Sequence, residues 1–235
     1  MQSESKLAIV IVVYNIPSLI TKQIECIRKY CKDEHDIIVI DNSDIKEVYE
    51  AVEYYCQQAN VRRIKTFSAD KEGNNSHVFA CNLSYQKLKD EYDMFFYLDH
   101  DNFPIKEFSV RGILEDKSMA GLGQGKSTIY YWAGCVMWDD KKTGKDIIDF
   151  SVNHELRLDT GGNLYKAIER CSIDNCKFFS EVYHENPHFK NSFYNFYAVI
   201  GDTFMHFINA SGWNPTEGNI ERINSLINIL TEKTK

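Results

Sequence analysis

Two carboxylates one residue apart, Asp99 and Asp101, close an apolar run in the segment Asp93 to Pro104, D-M-F-F-Y-L-D-H-D-N-F-P. Met94 to Leu98 is short, rich in aromatic residues and bounded by polar ones, which predicts a buried strand. In an α/β sheet, ligands sit in the crevice beyond the carboxyl ends of the strands. Two acids at such an end, without a basic neighbour, repel one another unless a cation lies between them. A hard divalent ion, Mg2+ or Mn2+, suits the place because it takes a few carboxylates together with phosphate oxygens. The plainer alternative is a polar turn after a strand, and these residues alone do not choose.

The elements that would position these acids are legible upstream. Leu7 to Val13 is a continuous, largely β-branched run, as in a strand buried on both faces of a parallel sheet. Tyr14-Asn15-Ile16-Pro17 breaks it, and Ile20, Ile24, Ile27 and Cys31 then fall at helical spacing. Ile37 to Ile40 is a second strand ending at Asp41-Asn42, followed by a helix with Val48, Val52, Tyr55 and Cys56 on one stripe. Val61 to Thr66 is a third strand, and Lys71 to Ser76 a polar loop capping a helix that carries Val78, Cys81, Tyr85 and Leu88. This alternation predicts an α/β unit around a mostly parallel sheet. The polar strand ends Tyr14-Asn15, Asp41-Asn42 and Asp99-His100-Asp101 then converge on one edge. Asp41 can accept hydrogen bonds from a base or ribose there, or simply cap the next helix.

After residue 105 the alternation is less regular. Strands are expected around Thr128 to Trp138, Phe178 to Tyr183, Phe193 to Ile200 and Phe204 to Ile208, with a helix running from Asp159-Thr-Gly-Gly162 to Arg170. A C-terminal amphipathic helix carries Ile220, Ile223, Ile227 and Leu230. That stripe docks on the domain, pairs with a second copy of the chain, or lies on a membrane surface.

Composition narrows the classes. The 235 residues are 43% hydrophobic and 26% charged, which is globular and enough for one domain spanning 1–235. A net charge of -7 with no Lys/Arg block argues against nucleic acid. No apolar run approaches the roughly 18 residues of a transmembrane segment. The polar start M-Q-S-E-S-K is followed only by the Leu7–Val13 run, so a strand is expected rather than a signal peptide. Seven scattered cysteines without a C-x-x-C pair suggest reduced thiols and a cytoplasmic location.

Taken in order, I-V-I-V-V-Y-N, I-V-I-D-N-S-D, G-N-N-S-H-V-F-A-C-N and F-F-Y-L-D-H-D-N-F-P resemble nucleotide-sugar glycosyltransferases of the GT-A fold. The resemblance is to the large, inverting, family-two-like group with an Asp-x-Asp motif, and it covers about residues 6–105. It implies a Rossmann-like central sheet flanked by helices, with a smaller mixed C-terminal part. Residues 6–105 would bind the nucleotide-sugar and 106–235 the acceptor. Tyr14 and Asn15 would flank the nucleotide and Asp41 would hydrogen-bond its base. Asn74 would approach the ribose and diphosphate, and Asp99 would face the ribose or the cation's water shell. Asp101 would bind the metal directly. His206, in M-H-F-I-N-A-S-G-W-N-P with Gly212, Trp213 and Pro215 behind it, resembles the family's third metal ligand. The alternative for His206 is an ordinary core histidine.

The activity implied is transfer of a hexosyl-type sugar from a nucleotide-diphosphate donor, a UDP-sugar first among them, to an acceptor hydroxyl on a glycan or glycan carrier. An inverting transferase needs a carboxylate to deprotonate that hydroxyl. Asp159 is the candidate, Glu155 its rival, and a helix-capping role the alternative. Trp132 or Trp213 would stack on a sugar face. A retaining transferase, or a non-catalytic protein that keeps the nucleotide site, would look much the same through residue 105.

Three other motifs are weaker. Gly121-Leu-Gly-Gln-Gly-Lys126-Ser-Thr ends like a Walker loop, but Ala120 stands where its first glycine is needed. Cys171, Cys176, His184 and His188 lack a zinc knuckle. Asp-x-Asp on a fourth strand, followed by Phe103, does not fit a haloacid-dehalogenase phosphatase.

Overall fold

A computed structural model describes residues 5–66, 74–125, 127–188, 196–208, 210 and 217–234. The N-terminal half follows the periodicity closely. β1 (Leu7–Val13), β2 (Asp36–Asp41), β3 (Arg62–Lys65) and β4 (Met94–Asp99) alternate with α1 (Ser18–Tyr30), α2 (Lys46–Gln58) and α3 (Asn74–Leu88). All four strands pair in parallel, with β1 between β2 and β4. Each strand residue of β1 is buried, and successive residues feed two different cores. Leu7, Ile9 and Ile11 meet Ile20, Ile24 and Val52 of α1 and α2 on one face. Ala8, Val10 and Val12 meet Ala80, Cys81 and Tyr85 of α3 on the other. This is the period-two alternation of a sheet covered by helices on both faces.

The second half extends the same sheet. β6 (Met119–Gln124), β7 (Tyr130–Asp139) and β8 (Cys176–Phe179) complete the order β3-β2-β1-β4-β7-β6-β8, with β7 antiparallel to both β4 and β6. Short helices α4 (Val110–Ile113) and α5 (Asp140–Thr143) flank these strands. A 3-10 turn, Gly162–Leu164, leads into α6 (Tyr165–Cys171). A stacked aromatic group, Phe95, Tyr97 and Trp138, fills the face under α3. The Walker-like glycines of Gly121 to Gly125 belong to β6 and its end rather than to a phosphate loop. A Cβ on Gly121 would lie 2.4 Å from the Cys135 carbonyl oxygen, so close approach of β6 to β7 is what requires glycine there.

A second, four-stranded sheet stands at the carboxyl edge of the first. It has the order β5-β11-β10-β9, from β5 (Asn102–Pro104), β9 (Glu181–Glu185), β10 (Phe196–Ile200) and β11 (Phe204–His206). The extended stretch expected from Phe178 to Tyr183 is thus divided between two sheets, β8 in the large one and β9 in the small one. α7 (Glu217–Lys233) packs on the small sheet through Ile223, Leu226, Ile229 and Leu230, together with Leu19 and Cys26 of α1. The C-terminal stripe is therefore docked within the chain, although Ile220 is exposed. All seven cysteines are buried free thiols. Among the described residues, no helix is long and apolar enough to cross a membrane.

Candidate active site

The turn His100-Asp101 is where the chain leaves the large sheet at β4 and enters the small one at β5, and its geometry is fixed from several directions. Gln23, fully buried on α1, donates from Nε2 to the carbonyls of Asp99 (2.7 Å) and Asn102 (2.6 Å). The His100 amide donates to the Val12 carbonyl at 3.2 Å, and its ring Nδ1 lies 3.0 Å from the same oxygen. Asn102 donates to the Gly134 carbonyl on β7 at 3.1 Å. Buried backbone oxygens must find donors, and here those donors lock the turn that carries both acids.

Strand register brings the partners in. β5 pairs antiparallel with β11 so that Asn102 faces His206, and the Phe207 amide donates to the Asp101 carbonyl at 2.8 Å. His206 Nε2 consequently lies 3.8 Å from Asp101 Oδ1. β7 runs beside β4 with Leu98 opposite Cys135, which sets Gly134 under Asp99. A Cβ built on Gly134 would sit 2.6 Å from Asp99 Oδ2 and 2.3 Å from Trp132 Cζ2, so only glycine lets both groups occupy this place. The Trp132 ring in turn covers His206, with centroids 4.6 Å apart.

These groups line a cavity of about 360 Å³ at the carboxyl ends of the strands. Of the residues predicted from sequence, Tyr14, Asp99, Asp101, Asp159, His206 and Trp132 line it. Asn15 and Asp41 stand behind it. Asn15, with a left-handed φ of 52°, donates from Nδ2 to Asp44 at 2.8 Å. The Asp41 carboxylate, fully buried, accepts from Arg63 Nη2 (2.7 Å) and Nε (3.0 Å), and its other oxygen accepts from the Ser43 amide (3.0 Å). The cavity wall at the end of β2 is Asn42, whose amide is held by Ser76 and Thr66. Asn74 opens α3, but its side chain lies outside the described residues, as do Gly212, Trp213 and Pro215. Glu155 is exposed on a turn and is not among the residues lining the cavity.

Asp159 precedes the 3-10 turn by three residues, so it is not the cap of the following helix. Its carboxylate accepts from the Thr160 amide at 2.7 Å, and its carbonyl from the Gly162 amide at 2.7 Å. The buried Thr160, also on the wall, has an Oγ1 with no hydrogen-bond partner among the described residues.

Sequence reasoning passed over His77, Gln124, Glu181 and Tyr183, all on the cavity wall. His77 lies inside the quoted motif G-N-N-S-H, so its type was visible but its direction was not. From the first turn of α3 its Nε2 reaches Asp99 Oδ1 at 2.9 Å. Burial opposes the charge on His77, yet the Asp99 carboxylate outweighs it and raises the imidazole well above its ordinary range. Burial likewise works against an ionised Asp99, but His77 holds that carboxyl below its usual range. Asp101 goes the other way, raised well above the usual range by burial and by the charge of Asp99. Burial pushes His206 down to about 4, leaving its ring neutral and able to donate a lone pair.

A mannosyltransferase from Pyrobaculum calidifontis, PcManGT, solved in complex with GDP-Man and Mn2+, superposes with a TM-score of 0.50 over 75% of this chain, at 8% identity. The chain has a GT-A-like fold. WbbM, a bifunctional glycosyltransferase, and TarS of S. aureus align with TM-scores of 0.44 each, at 12% identity, over 76% and 69% of this chain. The chain spans 55%, 39% and 33% of the lengths of these three structures. No protein-family model matches the sequence, and no curated protein does.

Among the described residues, no group of three or more His, Cys, Asp or Glu side chains is arranged to hold a metal by itself. Asp101 and His206 form a pair, and their 3.8 Å separation lies within the roughly 3–4.2 Å that a cation with ligands at about 2.1 Å joins. Mg2+ and Mn2+ keep open positions for phosphate oxygens and water, so two protein ligands suit them. Burial, and after it the charge of Asp99, disfavours an ionised Asp101, and a cation beside it would offset both.

Proposed function

We propose that the chain is a metal-dependent glycosyltransferase, moving a sugar from a nucleotide-diphosphate donor to an acceptor hydroxyl in glycan biosynthesis. The observation that carries this reading is the Asp101–His206 pair facing a cavity at the carboxyl ends of a GT-A-like sheet, with Asp99 beside it. PcManGT, whose fold this chain shares, was solved with GDP-Man and Mn2+.

In this reading the base lies against Tyr14 and the Asn42 wall, with Asp41 behind holding Arg63. Asp99 is directed at donor hydroxyls, while Asp101 and His206 hold Mn2+ or Mg2+. The bound cation would act as a Lewis acid for the charge that develops on the diphosphate as the sugar bond breaks. Trp132, Tyr183 and Gln124 form the acceptor wall, an aromatic and amide surface that suits a saccharide. Asp159, exposed at the cavity edge, takes the proton from the acceptor hydroxyl as that oxygen attacks the anomeric carbon, and the configuration inverts.

The test is a donor screen: UDP-, GDP-, TDP- and CDP-sugars with Mn2+, following nucleoside diphosphate release with and without simple saccharide acceptors. Release from one donor, lost in Asp101→Ala and cut at least a hundredfold in Asp159→Asn, supports the assignment. A donor that binds but is never turned over would instead make this a non-catalytic nucleotide-binding protein. Retention of configuration in the product would remove Asp159 from the role of base.

A further inference from the structure

The two carboxylates of the Asp99–Asp101 turn are not equivalent, and the difference originates in α3. His77 Nε2 lies 2.9 Å from Asp99 Oδ1, while Asp99 Oδ2 rests over Gly134 and the Asp99 carbonyl is taken by Gln23. The Asp99 carboxylate is thus held by a charge-assisted contact on one oxygen and confined sterically on the other. Asp101 instead faces His206 Nε2 at 3.8 Å, beyond hydrogen-bond distance yet close enough for one cation to join the two.

We propose that His77 is a positioning residue that divides the work of the two carboxylates. By engaging Asp99 it withholds that group from the cation and keeps it directed at donor hydroxyls, so the ion is left to Asp101 and His206. The proposal rests on the reading of the cavity as a nucleotide-sugar and metal site. A carboxylate oxygen in close contact with an imidazole gives up that contact if it turns to a metal. Without the imidazole, two carboxylates on one turn would be free to chelate the ion together. The cation would then be gripped more tightly in the absence of nucleotide, and the donor would lose a fixed acceptor for its hydroxyls. Loss of a merely structural histidine would weaken both.

The experiment measures Mn2+ binding to the full chain by the paramagnetic resonance signal of the free ion, without nucleotide. Nucleoside diphosphate affinity is measured separately by calorimetry at saturating Mn2+. His77→Ala is expected to bind Mn2+ about tenfold more tightly and the nucleoside diphosphate about tenfold more weakly. Adding Asp99→Asn to His77→Ala should return Mn2+ affinity to the native value. His77→Gln, which keeps a donor, should stay within threefold of the native protein on both counts. Should His77→Ala fail to fold, Asp99→Asn alone still decides, because it should leave Mn2+ affinity within twofold. A His77→Ala protein that binds both ligands as before, or both more weakly, overturns the proposal, as does a tenfold loss of Mn2+ in Asp99→Asn. If the native protein binds Mn2+ but no nucleoside diphosphate, the transferase reading fails. The Mn2+ measurements on the variants still decide the role of His77.

Discussion

Replacing Gly134 by alanine should disable the site while leaving the fold in place. The new methyl group would lie 2.3 and 2.5 Å from Trp132 Cζ2 and Cη2 and 2.6 Å from Asp99 Oδ2. Ordinary carbon contacts are about 3.5–4.0 Å, so the indole must move by more than 1 Å and the carboxylate by somewhat less. Each can move into the cavity only by giving up a contact that holds it. The indole is packed on the His206 ring at 4.6 Å, and Asp99 is tied to His77 at 2.9 Å. Overpacking of this kind costs about 1–3 kcal/mol, which for a chain of this length lowers the melting temperature by about 2–12 °C. A displacement of this size in Asp99 and Trp132 should weaken Mn2+-dependent nucleoside diphosphate binding by one to two orders of magnitude. Calorimetry and a thermal melt on the same samples separate the two effects. A Gly134→Ala protein that binds nucleotide within twofold of native would show that neither Asp99 nor Trp132 is placed as argued.

Other substitutions probe the frame around the site. Gly218, on α7, has open space where a Cβ would stand, with nothing within 4 Å, so Gly218→Ala should leave nucleotide binding unchanged and hold or slightly raise the melting temperature. Removing Arg63 leaves the fully buried Asp41 carboxylate without its main partner. Arg63→Met should therefore cost about 2–4 kcal/mol in urea denaturation, and Asp41→Asn in the same chain should recover part of it. Asp140 is pushed up to about 6, because burial outweighs the hydrogen bonds from Trp138 and Tyr85. The folded state then holds a proton that the unfolded state releases near pH 4. Stability from this group is full below that pH and lost as pH rises through about 6. Asp140→Asn should flatten the stability profile between pH 4 and 6 and add up to roughly 3 kcal/mol above pH 7, since each pKa unit corresponds to about 1.4 kcal/mol.

The parts of the site that were legible in the sequence are those set by short-range pattern. Leu7–Val13 and Met94–Asp99 are apolar runs with polar stops, and a parallel sheet brings such stops to one edge. Asp99, Asp101 and Tyr14 therefore line one cavity at that edge. The placement of Asp41 depended on a charge from a neighbouring strand. Arg63 reaches across from β3 and engages the carboxylate, so Asn42, one residue on, forms the wall instead. His77 and Gln23 act through tertiary contacts made 22 and 76 positions away in sequence, which no local spacing encodes. The small sheet was the least legible. β5 is three residues long, and its pairing with β11 spans a hundred residues of chain. That pairing is nonetheless what sets His206 opposite Asn102 and so within 3.8 Å of Asp101.

The central claim is that Asp101 and His206 hold a cation that the donor requires, and calorimetric titration tests it most directly. Uridine, guanosine, thymidine and cytidine diphosphates are titrated into the native protein and Asp101→Ala, with and without Mn2+. The account predicts that one nucleotide binds only when Mn2+ is present, and that Asp101→Ala, still folded by its melting transition, does not bind it. Binding of none of the four to the folded native protein, or binding indifferent to both Mn2+ and Asp101, would contradict it.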